Sequence, residues 1–186
     1  YEWTFDGTGT DNGNTYTTDA NLTAGTYTAT VKATLGDCDT ISNSVTITVN
    51  EKPVVTLAAD KTVICEGETV TFTATETSGA TGTITYEWTF DGTGTDNGNT
   101  YTTDANLTAG TYTATVKATL GDCDTISNSV TITVNEKPVV TLAADKTVIC
   151  EGETVTFTAT ETSGATGTIT YEWTFDGTGT DNGNTY

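Results

Sequence analysis

Residue n and residue n+85 are identical wherever both exist, so the 186 residues are two periods of one 85-residue unit plus a 16-residue overhang. The overhang, YEWTFDGTGTDNGNTY, stands at Tyr1–Tyr16, Tyr86–Tyr101 and Tyr171–Tyr186. A unit copied without change cannot be one active site assembled from unique parts. Repetition at a fixed period is the mark of an array, whose gain is length, multivalency or mechanical work. The chain starts and stops at an arbitrary phase of the repeat, as a window cut from a longer polymer would. The period divides it into residues 1–50, the C-terminal part of one copy; 51–135, a complete copy; and 136–186, the N-terminal part of the next.

One period is the size of a small domain, with a modest core that a covalent staple would help. It reads as β throughout, with no sustained 3.6-residue apolar period. Val70, Phe72 and Ala74 alternate with threonines, as do Ile84, Tyr86, Trp88 and Phe90 with threonine and Glu87. Tyr112, Ala114, Val116, Ala118 and Leu120 form a third set, and Val130, Ile132 and Val134 a fourth. Each set puts one face in a core and one in water, the antiparallel pattern. Threonine supplies 24 of the 85 residues; it is β-branched yet polar and suits the wet face. Further strands are expected from Val54 to Ala59 and near Tyr101–Thr103. Turn signals between the sets give about seven strands, with Trp88 on the third and Leu107-Thr-Ala-Gly-Thr-Tyr112 as a tyrosine corner opening the sixth. The expected fold is all-β: tandem immunoglobulin-like two-sheet sandwiches arranged end to end.

The order GETVTFTAT, YEWTFDGTG, LTAGTYTATV, SNSVTITV resembles the PKD-type and bacterial immunoglobulin-like repeats of Bacteroidetes surface proteins, including gliding adhesins and type IX-secreted proteins. The paired ICEGE and GDCD cysteines are also like that group. The WTFDGTG segment departs from the W-x-F-G-D-G of PKD domains, so the resemblance is to an immunoglobulin-like, PKD-related module. It implies a secreted or cell-surface location and identifies a module class, not an activity.

Composition narrows the function classes. One period carries eleven acids against Lys52, Lys61 and Lys117, a net charge of −8, and has no His, Met or Arg. Such a surface repels nucleic acid and anionic membranes, keeps neighbouring copies soluble and attracts divalent cations. No apolar run approaches the ~20 residues of a membrane helix. Without histidine, no Ser/His or Cys/His catalytic arrangement is possible, and none of the repeated carboxylate pairs has an evident pocket; an enzyme is not expected. The expected partners are neighbouring identical repeats and lateral copies in a filament.

Three sets of residues are candidate sites. Cys38, Cys65, Cys123 and Cys150 lack C-x-x-C spacing, which argues for disulfides in an oxidising compartment and against zinc. A Cys65–Cys123 bridge within one copy is the obvious pairing. In a sandwich whose termini lie at opposite poles, however, Cys65 sits at the C-terminal pole and Cys123, in the last hairpin, at the N-terminal pole. Bridging Cα atoms must lie within ~7 Å, so the alternative joins Cys65 to the hairpin cysteine of the next copy. Asp91, Asp96, Asn97 and Asn99 resemble a loop for a hard cation such as calcium, though not with EF-hand spacing. The competing reading is a hairpin with Asn97-Gly98 as a type I′ turn. Asn21 and Asn106 head N-x-T sequons, and Thr40 and Thr125 stand in Asp-Thr-Ile triplets like a Bacteroidetes O-glycosylation motif.

Only Asn135-Glu136-Lys137-Pro138 join one copy to the next. No Gly/Ser tether is present, and the proline fixes its own φ and biases Lys137 to extended backbone. The expected assembly is a semi-rigid rod serving as the shaft of a fibre. The alternative is a repeated carbohydrate- or partner-binding module that acts by avidity.

Overall fold

The computed structural model describes residues 1–164, 167–177 and 179–186, and no helix occurs among them. The first copy contributes Glu2–Phe5 (β1), Gly9–Asp11 (β2), Tyr16–Thr18 (β3), Gly25–Leu35 (β4), Cys38–Ile41 (β5) and Val45–Val49 (β6). The central copy contributes Val55–Ala59 (β7), Val63–Cys65 (β8), Thr71–Glu76 (β9), Ile84–Phe90 (β10), Gly94–Asp96 (β11), Thr100–Thr103 (β12), Gly110–Leu120 (β13), Cys123–Ile126 (β14) and Val130–Asn135 (β15). Val140–Ala144 (β16) and Phe157–Glu161 (β17) belong to the last copy.

Tyr1–Thr56, Thr75–Glu87 and Lys117–Ser127 form one compact unit. Its hub is the long strand β4. The whole of β1 lies antiparallel to its middle, from Glu2↔Lys32 to Phe5↔Ala29. The other edge is shared: β6 pairs with Gly25–Ala29, and β5 with Lys32–Leu35. Phe5 packs its ring 5.5 Å from Tyr16 and 5.7 Å from Tyr27. The same unit contains the β13–β14 hairpin, where Leu120 lies opposite Cys123, and the turn after β9.

Leu57–Ala74, Trp88–Val116 and Asn128–Tyr186 form the other unit, which holds most of the core. The central copy builds two sheets. One runs β10-β13-β15-β8, with β14 also bonded to β13; the other runs β11-β12-β9-β7. The alternation read from the sequence sets their inner faces: Val70, Phe72 and Ala74 on and beside β9, and Ala114 and Val116 on β13, are buried. Phe72 on one sheet and Phe90 on the other stand 5.5 Å apart, and Phe90 is 5.4 Å from Tyr101. This is the all-β, immunoglobulin-like sandwich that the period predicts.

The central copy has nine strands rather than about seven. β8, β11 and β14, which fall outside the alternating sets, are three or four residues long. β8 runs parallel to β15, with Thr133↔Val63, Val134↔Ile64 and Asn135↔Cys65 in register. Between β14 and β15, Asn128 replaces strand pairing with its side chain. Its Oδ1 accepts from the Leu57 amide at 2.8 Å, and its Nδ2 donates to the Leu57 carbonyl at 3.0 Å. A buried backbone position is thereby satisfied where no neighbouring strand supplies partners.

Candidate functional site

The acidic loop of the central copy folds as a hairpin. β11 pairs antiparallel with β12, from Gly94↔Thr103 to Asp96↔Tyr101. The chain reverses at Gly98-Asn99, where the Asn97 amide donates to the Thr100 carbonyl at 2.9 Å. Gly98 has a φ of 75°, and among the described residues no non-glycine has positive φ. The turn is therefore II′-like and one residue later than the type I′ turn at Asn97-Gly98 that the sequence suggests. Type I′ would force Asn97 into positive φ, whereas II′ confines that demand to glycine. Gly94 has a different reason to be glycine: a Cβ there would collide with the Thr102 carbonyl and the Tyr101 ring.

Two bonds fix the hairpin. The Trp88 indole N–H donates to the Gly98 carbonyl at 2.8 Å, and Asp96 Oδ1 accepts from the Gly98 amide at 2.8 Å. Trp88 is therefore half-buried beside Tyr101, not the buried centre of the core; Phe72 and Ile132 are the largest fully buried side chains. An indole must find a hydrogen-bond partner, and the hairpin carbonyl draws it to the sandwich margin. Burial is the main cause that raises the Tyr101 pKa, with Asp104 and then Asp96 adding to it.

The four residues read as a cation loop do different work. Asp91 Oδ1 accepts from the Thr113 amide at 2.5 Å, and Asn99 Nδ2 donates to the Ala74 carbonyl at 3.4 Å. Asp96 caps its own turn, and Asn97 contributes its backbone. Among the described residues, no group of three or more Asp, Glu, Cys or His side chains is placed to hold a metal ion.

The tyrosine corner forms as read: the Tyr112 hydroxyl donates to the Thr108 carbonyl at 2.9 Å, and Tyr27 repeats the bond to Thr23 at 2.8 Å. All four thiols are free; Cys38, Cys65 and Cys150 are exposed and Cys123 is half-buried. Asn21, Asn106 and Thr40 are exposed, whereas Thr125 is half-buried within β14. Near Thr125, Lys117 lies 3.4 Å from Asp124 and 3.7 Å from Glu87, a pairing made among exposed side chains.

A family model for the PKD domain matches residues 50–134 and again 135–186. The chain belongs to the PKD domain family. PKD domains are typically extracellular structural or binding modules and are generally non-catalytic. Among curated proteins, none matches the sequence. Of solved structures, murine CEACAM1b is 20% identical over 60% of this chain and 58% of its own, with a TM-score of 0.36. The S-layer protein rSbsC(31-844) is 20% identical over 81% of this chain and 28% of its own, with a TM-score of 0.28. The chain thus spans less than two thirds of either structure. The PKD assignment rests on the family match. Sequence reasoning missed Asn128 and the Trp88–Gly98 bond; Ser127-Asn128-Ser129, a polar break between two β-rich runs, was the available signal for the first.

Proposed function

We propose that this chain is part of the non-enzymatic shaft of a large bacterial cell-surface or extracellular fibre, with each 85-residue period as one unit of length. In this reading a terminal domain elsewhere makes the adhesive contact, and the repeats supply reach. The observation that carries it is the junction ahead of the central copy. Only residues 50–54 separate β6 from β7, and Pro53 among them is fully buried. A linker whose proline is packed into a core does not behave as a free tether.

The competing reading is an avidity array that binds carbohydrate or a protein partner. Such a face needs exposed aromatic rings. In the central copy Phe72 is buried, and Tyr86, Trp88, Phe90, Tyr101 and Tyr112 are all at least half-buried. The rings are occupied with the fold, which favours the shaft.

Small-angle scattering on the chain lengthened by whole periods separates the two. A shaft gives a rod-like profile that grows by ~30–40 Å per period, the length of a strand of about ten residues. A profile of a flexible chain, or saturable glycan binding that strengthens with repeat number, would sink the proposal.

A further inference from the structure

The register of the central copy fixes where each cysteine stands along its sheet. Cys65 lies opposite Asn135, the last residue of β15. On the neighbouring strand β13, Gly110 lies opposite Val134, while Leu120, at the other end, lies opposite Cys123. From Gly110 to Leu120 the strand takes about ten residue steps, about 33 Å at its ordinary rise. A disulfide needs Cα atoms within ~7 Å. The two cysteines of one copy therefore mark opposite ends of a strand and cannot meet.

A second observation shows what does lie beside the Cys123 hairpin. Val49, Asn50 and Glu51, the end of the first copy, line one shallow pocket together with Thr81, Leu120 and Gly121 of the central copy. Asn50 is the counterpart of Asn135, one period earlier. In an array continued at the same period, a cysteine 85 residues before Cys65 stands opposite Asn50 as Cys65 stands opposite Asn135. That places it on the strand next to this pocket, and Cys123 is the cross-strand partner of another pocket residue, Leu120.

We infer that the β8 cysteine of each copy, which lies opposite the last residue of β15, forms a disulfide with the β13–β14 hairpin cysteine of the following copy. Cys123 is thus bonded backward across residues 50–54, and Cys65 forward across the junction at Asn135–Pro138. Within the 186 residues every such partner falls outside the sequence. In each bridge two thiols lose two protons and two electrons as the S–S bond forms. The electron acceptor is a disulfide, such as oxidised glutathione or a protein disulfide oxidant, which is itself reduced to two thiols. The bridge concerns the junction alone and holds whether the array serves as a shaft or as an avidity array.

The test uses the full chain lengthened by one period at its N-terminus. In one variant all cysteines become serine except Cys123 and the cysteine 85 residues before Cys65. In a second only Cys65 and Cys123 remain. Both are oxidised with glutathione at low protein concentration, checked for β structure by circular dichroism and for monomer by gel filtration. The junction pair is expected to lose both maleimide-reactive thiols and the mass of two hydrogens, as a monomer. The within-copy pair is expected to keep both thiols. A folded junction variant with both thiols free, or one joined only between chains, overturns the inference. So does a monomeric disulfide in the within-copy variant.

Discussion

The central copy and the partial copies that flank it are spelled with the same letters, yet they differ in structure. Ile132 is fully buried, whereas its counterpart Ile47 is 38% exposed. Leu57 is 5% exposed and Leu142 64%; Pro53 is buried and Pro138 exposed. Strands differ as well as burial. Ile84–Phe90 is a strand bonded to β13, but residues 169–175 form none. Val63–Cys65 pairs with β15, and the same letters at 148–150 pair with nothing of the kind. Alternation thus states which face a residue offers, and only the full set of strands decides whether that face is covered. Features made of nearby residues survive in every copy. The Trp3–Gly13, Trp88–Gly98 and Trp173–Gly183 bonds measure 2.9, 2.8 and 2.8 Å.

The largest break in this comparison should come from the core. Phe72→Ala is expected to cost about 3–5 kcal/mol, the usual range for a buried phenylalanine. Phe157→Ala, the same change at a half-buried ring, should cost less than about half of that, since less apolar area is lost. Urea unfolding of the 186-residue chain, followed by tryptophan fluorescence, measures both. Equal costs would show that the last copy is as well packed as the central one.

Next comes the side chain that stands in for a strand. Asn128→Ala strands the buried Leu57 amide and carbonyl and should cost about 1–3 kcal/mol. Asn43→Ala should be close to neutral, because Asn43 Nδ2 donates to the adjacent Ser44 carbonyl at a long 3.4 Å and stays exposed. Hydrogen exchange at the Leu57 amide adds a local readout: it should speed up in the first variant and stay unchanged in the second.

A smaller effect, equal in two copies, is expected at low pH. The Ser78 hydroxyl donates to the Glu76 carboxylate and lowers its pKa; desolvation opposes this, and the Ser78 and Gly79 amides add to it. Ser163 and Gly164 do the same for Glu161. As pH falls, the unfolded chain takes up the proton first. The stabilisation is therefore complete above the ordinary carboxylate range and is lost as pH drops through the lowered folded value. Glu76→Gln and Glu161→Gln should each flatten the acid limb of the stability curve to a similar degree. A response in only one copy would show that the turn depends on distant contacts.

Calcium should matter least. Asp91 and Asp96 already accept backbone N–H bonds, so excess chelator is expected to leave the melting curve of the chain nearly in place. A clear fall in melting temperature would instead mark the loop as a native-state cation site.

The same contrast explains how much could be read from sequence. The sets on β9, β10, β13 and β15 were legible because alternation over about five or more residues has one structural solution in water. The tyrosine corner was legible because its bond spans four residues. β8, β11 and β14 were not, being three or four residues long and held by partners that alternation does not reveal. Trp88 has the pattern of a core residue, yet its indole N–H needs an acceptor that only the folded hairpin supplies. The II′ geometry at Gly98-Asn99 likewise depends on the Asp96↔Tyr101 register, which no dipeptide rule contains.

The parallel pairing of β8 with β15 has a directional consequence. A load that reaches β8 from its N-terminal side and β15 from its C-terminal side slides the two strands past each other. Val63, Ile64 and Cys65 then resist together with their partners, as do the flanking bonds Thr133 N–H to Thr62 O and Glu66 N–H to Asn135 O. A hairpin prised apart at one end, such as β13–β14, gives up its pairs one after another. The fold therefore presents its stiffest set of bonds to force along the strands and its softest to force across them, from a net stability that is the same in either direction.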